Sequence, residues 1–141
     1  FWGAEVKGTV PIGQALGGTL SAQVLGDYVC AKFTNGGGDV PRIQPGRIGG
    51  GLDWAGERLS ASFLVLQVGA QHHVGVADSP TDSYTSVDAQ IGWRPFKDKG
   101  VQLLLVGHNL ADETIRNATA LNKDLVVMPG RDVRLVLSSR F

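Results

Sequence analysis

Apolar and polar residues alternate along most of this chain with a period of two. That is the spacing of a β-strand, whose successive side chains point to opposite faces. The clearest run is 84–94, where Val87, Ala89, Ile91 and Trp93 alternate with Ser86, Asp88, Gln90 and Arg94. Residues 130–141 repeat it, with Val133, Leu135, Leu137 and Phe141 on one side and Asp132, Arg134, Ser138 and Arg140 on the other. A run from Trp2 to Val10 sets Trp2, Ala4, Val6 and Val10 against Glu5, Lys7 and Thr9. Residues 19–33, 47–54, 59–68 and 101–109 supply four more, although 64–68 loses clean alternation and 101–109 is apolar on both faces. The pattern predicts an all-β chain of seven strands.

The connections alternate in length. Short turns are expected at 11–18, 55–57 and 95–100; long Gly- and Pro-bearing or polar loops at 35–46, 71–82 and 110–129. The last strand, 130–141, therefore has one apolar face and one face carrying ions. On the inner side of a soluble sandwich those ions would be buried and unpaired, at a cost. A transmembrane barrel wants this pattern, with a wet lumen on one side and lipid on the other. The runs are also close to the roughly 9–11 residues that a tilted strand needs to cross the hydrocarbon layer. In such barrels the tight turns are periplasmic and the long loops extracellular. Trp54, Trp93, Phe96 and Phe141 fall beside the short turns or the terminus, and Tyr28 and Tyr84 fall near the long loops, as two interfacial girdles would require. For any single ring, an ordinary core position is the alternative.

Composition narrows the class. Thirteen Lys plus Arg balance thirteen Asp plus Glu, so no basic excess points to nucleic acid as a partner. Charged residues are only 18% of 141, and there are 20 glycines, a balance that suits strands and tight turns facing lipid on one side. No run of eighteen apolar residues is present, which excludes a transmembrane helix. The single cysteine, Cys30, excludes an internal disulfide and a cysteine-based metal cluster. Phe1 already lies inside a strand pattern, and the expectation is a C-terminal fragment of a longer chain.

Catalytic signatures are thin. No Gly-x-Ser-x-Gly elbow, His-Glu-x-x-His or phosphate-loop spacing occurs, so neither an enzyme nor a bound cofactor is expected. Gly36, Gly37 and Gly38 read as a flexible loop; Gly49, Gly50 and Gly51 read as a strand that another backbone approaches closely. His72 and His73 share the second long loop with Asp78, and the three together would suit zinc or copper. Adjacent histidines on an extended chain point opposite ways, so a shared ion needs a bent loop; a solvated pair is the other reading. His108 either approaches a ligand or bonds to a neighbouring strand and lumen water. Arg47, Arg94, Arg134, Arg140, Asp53, Asp88 and Asp132 are expected to form lumen-facing ion pairs.

Several landmarks, in order, resemble the C-terminal barrel portion of TonB-dependent outer-membrane receptors, and the resemblance covers nearly the whole chain. Gly3-Ala4-Glu5 is similar to the family's Gly-x-Glu, and Pro41-Arg42 through Arg47 to its proline–arginine approach to the next strand. Thr81-Asp82-Ser83-Tyr84 with Val87-Asp88 resembles Thr-Asp-x-Tyr and the strand after it. Asn109-Leu110-Ala111-Asp112 resembles Asn-Leu-x-Asp; Pro129-Gly130-Arg131 opens the last strand; and Phe141 matches the terminal aromatic used in barrel assembly. These residues have structural jobs. Asn109 and Asp112 suit backbone bonds where a strand gives way to a loop. Residues 116–119 and 122–125 are similar to a branch linked to zinc uptake. That branch carries His-Thr-Ser where this chain has Ala118-Thr119-Ala120, so its imidazole is missing here.

The resemblance implies a preceding signal peptide, TonB box and plug domain, and a plugged barrel of about 22 strands, of which this is one part. It implies residence in the outer membrane of a Gram-negative bacterium. The partners would be outer-membrane lipid, the chain's own plug domain, the TonB energy-coupling protein and the barrel-assembly machinery. A transported metal or metal chelate would be cargo. Two other classes remain: a structural or translocator outer-membrane barrel, and a soluble all-β binding module with its apolar faces packed together.

Overall fold

The computed structural model describes residues 1–96 and 100–140. It is a seven-stranded antiparallel sheet in strict sequence order, a meander. The strands are β1 (Trp2–Ala15), β2 (Gly18–Cys30), β3 (Arg47–Ala55), β4 (Leu59–Val68), β5 (Tyr84–Trp93), β6 (Gly100–His108) and β7 (Asp132–Arg140). The sheet is open, with β1 and β7 at its two edges. No helix occurs among the described residues.

The largest departure from the pattern lies in β1. Residues 11–15, expected to turn, continue the strand to Ala15, and the reversal tightens to Leu16 and Gly17, both at positive φ. Pro11 tolerates this because β1 is an edge strand, and the register shifts between Pro11 and Gly13 to absorb the irregularity. At the other end of the chain β7 begins at Asp132, two residues after Gly130. Phe141 and the Arg140 side chain lie outside the described residues.

Directly opposed residues of an antiparallel pair share a face, so the register carries the apolar face across the whole sheet. Ala22 faces Leu52, Leu52 faces Phe63, Phe63 faces Ala89, Ile91 faces Leu105, and Leu105 faces Leu135. This face is the exposed one: Leu52 is 47% and Leu135 70% accessible. Along β3, exposed Ile48, Gly50 and Leu52 alternate with half-buried Arg47, Gly49, Gly51 and Asp53; along β4, exposed Leu59, Ala61 and Phe63 alternate with half-buried Ser60, Ser62 and Leu64. That is the inverse of a water-soluble sheet. Apart from Pro45 and three glycines, the buried apolar residues among the described ones are Ala31, Val68 and Ala118. The last three sit at the long-loop end, where loop packs on loop and on the strand tips.

The glycines of β3 explain how tightly its neighbours sit. A Cβ on Gly51 would lie 2.2 Å from the Phe63 carbonyl oxygen, and one on Gly49 2.8 Å from that of Val65, whereas one on Gly50 would meet its nearest neighbour at an ordinary 3.6 Å. The close backbone is the neighbouring strand.

Candidate functional site

The long loops at one end of the sheet fold onto one another. In the first loop, residues 31–46, Phe33 and Val40 donate their N–H groups to the Gly38 and Ala31 carbonyls, with Gly36 and Gly38 at positive φ. The second, residues 69–83, is pinched by paired backbone bonds between Gln71 and Thr81. Gln71 Nε2 also donates to the Ile43 carbonyl at 2.8 Å, and Gly75 sits so close to Pro41 that a Cβ would lie 2.7 Å from its ring. Pro41 thus fixes loop against loop as well as the approach to β3.

Asp78 is the hub. Its Oδ1 accepts from Lys123 Nζ of the third long loop at 2.6 Å, and its Oδ2 accepts from the Arg42 backbone N–H of the first at 2.8 Å. The two side chains are 5% and 2% accessible. Lys123 Nζ also donates to the Ala118 carbonyl, and Ser79 Oγ donates to both Asp124 oxygens. Burial works to raise the Asp78 pKa, but the Lys123 ammonium and the Arg42 and Ser79 N–H groups outweigh it and hold the carboxyl below its ordinary value. One carboxylate therefore ties three loops together.

The structure does not bring His72, His73 and Asp78 together as one ligand set. Asp78 has spent both oxygens inside the protein, and His73 faces Asp39 at 3.6 Å while staying 81% exposed. His72 is exposed as well. Among the described residues no group of three or more His, Cys, Asp or Glu is arranged to hold a metal ion. Sequence reading missed Lys123 as the partner; a lysine in a polar loop gives no hint of burial.

Asn109 and Asp112 close the third loop, residues 109–131. Asn109 Oδ1 accepts the Glu113 N–H at 3.0 Å, and its Nδ2 donates to the Glu113 and Pro129 carbonyls. Its own N–H donates to Asp88 Oδ1 at 2.9 Å. Leu110 donates its N–H to the Val87 carbonyl and packs its side chain over Gly107, where a Cβ would meet it at 2.8 Å. Asp112 accepts the Arg131 N–H at 2.9 Å and lies 3.4 Å from its guanidinium. These contacts from Arg131 lower the Asp112 pKa. Asn109 and Asp112 both adopt positive φ, which Asn and Asp bear better than most residues. Gly130 fits because a Cβ there would press on Asp112 Oδ1 at 3.0 Å.

The polar face below carries charged side chains. Arg47 binds Asp27 across β2–β3 through Nε and Nη2, the latter at 2.7 Å, and Glu5 faces Asp27 from β1. Arg134 pairs with Asp132 along β7, and His108 lies 3.6 Å from Asp88. A Cβ on Gly3 would lie 2.7 Å from the Tyr28 carbonyl oxygen, so β1 and β2 meet closely there.

The aromatic expectation needs one change. Tyr84 opposes Val68, which opposes Arg47, so it lies on the ionic face and does not join Tyr28. Trp2 does: its ring and that of Tyr28 pair at 5.4 Å on the apolar face near the first long loop. The parity of 84 with Ser86 and Asp88 already held that answer. At the short-turn end Trp54 lies against Gly18 and Gly56 and donates its indole N–H to the Ala15 carbonyl at 2.7 Å. Comparison with protein-family models and with curated proteins finds no match to this chain.

Proposed function

We propose that this chain is wall and extracellular-loop structure of an outer-membrane transport receptor of the TonB-dependent kind, energised from the inner membrane for uptake of a scarce nutrient such as a metal chelate. The observation that carries it is the inverted sheet: a continuous apolar face that nothing among the described residues covers, backed by a half-buried face of ions and amides. An exposed apolar surface of this breadth needs an apolar surrounding. The clustered long loops at one end and tight turns at the other agree with it. The open edges β1 and β7 would leave unpaired backbone in lipid, so the reading requires further strands to complete a barrel, about 22 with a plug in this class. The chain has no catalytic part in this reading, and the metal is cargo.

Nitroxide labels test it. With Cys30 replaced by Ala, labels at Leu52 and Leu135 should be relaxed by oxygen dissolved in the bilayer, and labels at Gln23 and Ser62 by a water-soluble nickel chelate. Leu52 and Leu135 labels reached only from water would end the membrane reading. Deleting the gene should then abolish proton-gradient-dependent uptake of one nutrient in a panel; unchanged uptake of all of them favours a purely structural barrel.

A further inference from the structure

Two chambers lie beneath the third long loop, against the ionic face of the sheet. The first encloses about 210 Å³ and is lined by Arg47, Asp82, Tyr84 and Arg116 among others; the second, about 320 Å³, has Leu66 for part of its wall. They share Tyr84, Ile115 and Met128, so they adjoin.

The charges of the first chamber are unequally spent. Arg47 is committed to Asp27. Arg116 gives only Nη1, to the Lys123 carbonyl at 2.5 Å, and has no carboxylate partner among the described residues. Its remaining N–H donors meet no acceptor among the described residues, and the buried Asp78–Lys123 pair holds the segment that positions it. Asp82, at the exposed rim, likewise has no hydrogen-bond or ion-pair partner among the described residues, Arg116 included. A guanidinium and a carboxylate line one small chamber without touching. A ligand bearing both opposite charges satisfies the two at once. The adjoining chamber offers Ile115, Met128 and Leu66 to an apolar substituent.

We propose that these chambers bind a small zwitterion of the amino-acid type. Its carboxylate meets Arg116, its ammonium meets Asp82, and its apolar side group lies along Ile115 and Met128. The assignment rests on the transport reading for its purpose and names the class of molecule taken up or sensed at that site.

The test uses the full chain in detergent micelles and three probes of one shape: leucine, leucinamide and 4-methylpentanoate. Equilibrium dialysis against protein-free micelles gives each affinity. Leucine should bind about tenfold more tightly than either analogue, the scale of one charge-assisted bond. Arg116→Gln should erase the advantage over leucinamide and keep that over 4-methylpentanoate; Asp82→Asn should do the reverse. Arg58→Gln, in an exposed turn at the opposite end, should change neither, and circular dichroism should show retained strand content throughout. Three probes binding alike, no saturable leucine binding, or variants that weaken all three equally would overturn the assignment. Spin labels that report lipid contact while leucine fails to bind strike the ligand alone. Leucine binding by a chain whose apolar labels face water strikes the transport reading alone.

Discussion

Asp78 and Lys123 meet at 2.6 Å between two long loops, with both side chains almost sealed from water. A pair this buried gains little over an apolar replacement of both partners, yet removing one partner leaves a charge stranded. Its value lies in fixing which loop sits against which.

The first prediction follows from that asymmetry. Lys123→Met should lower the opening free energy of the loop layer by about 3–5 kcal/mol. Hydrogen exchange at the Met128 and Val126 amides, which bond to the Ile115 and Asn122 carbonyls, reads it. The double variant Asp78→Leu/Lys123→Met should cost clearly less than the sum of the two single changes. Additive costs would mean that the two side chains act independently.

Acid should open the same loops. The Asp78 pKa is lowered on folding, so its contribution is fully present above the ordinary value of 3.8 and is lost as pH falls through the lowered one. Asp112, lowered by Arg131, shifts the same way. Acid-stable proteolysis should find the loops protected from neutral pH down to about the ordinary carboxylate range, and cut only below it. Cleavage that begins well above that range would show that the Asp78 carboxylate does not hold the loops.

Asn109 offers a cleaner separation of effects. It combines a left-handed backbone, φ 48°, with three side-chain bonds to Glu113 and Pro129. Asn109→Gly keeps the backbone and loses the bonds; Asn109→Ala loses both. The glycine variant should cost about 1–3 kcal/mol and the alanine variant about 1 kcal/mol more, read from exchange of the Glu113 amide. Equal costs would show that the backbone conformation contributes nothing.

How far the sequence carried depended on whether a feature was periodic. Strands 84–93 and 132–140 were legible because Asp88 and Arg134, with their polar neighbours two residues away, alternate with apolar residues. The face of Tyr84 was legible too, from its parity with Ser86. Pro11 misled, because an edge position removes the usual cost of a missing N–H. The pairing of Asp78 with Lys123 had no signature at all. It depends on two loops meeting in space, and loop composition does not encode which partner is met. The Asn109 and Asp112 bonds were foreseeable in kind, since short polar side chains cap strand ends, but not in their particular acceptors.

β3 gives a steric prediction. Gly51→Ala would drive a Cβ to 2.2 Å from the Phe63 carbonyl oxygen, a backbone atom that cannot step aside, whereas Gly50→Ala meets its nearest neighbour at 3.6 Å. Gly51→Ala should therefore break the β3–β4 register locally and lower the yield of assembled protein, while Gly50→Ala should assemble normally. Equal assembly would mean that β3 and β4 are free to separate there.

The last prediction sets one face against the other. Leu52 and Ser62 sit on β3 and β4, in adjacent strands and at similar depth, but on opposite faces: Leu52 opposes Phe63, while Ser62 opposes Asp53. An arginine at Leu52 would put its charge where the sheet is apolar from Ala22 to Leu135. In a bilayer that costs about 2–4 kcal/mol near mid-depth. An arginine at Ser62 would instead face Asp53 and the amides of a polar surface, where charge is already accommodated. Leu52→Arg should therefore reduce the membrane-inserted fraction several-fold in a refolding assay with lipid vesicles, and Ser62→Arg should leave it near the parent level. Were the apolar face built to pack on protein in water, the arginine at Leu52 would disrupt folding equally with or without lipid, and the dependence on vesicles would vanish.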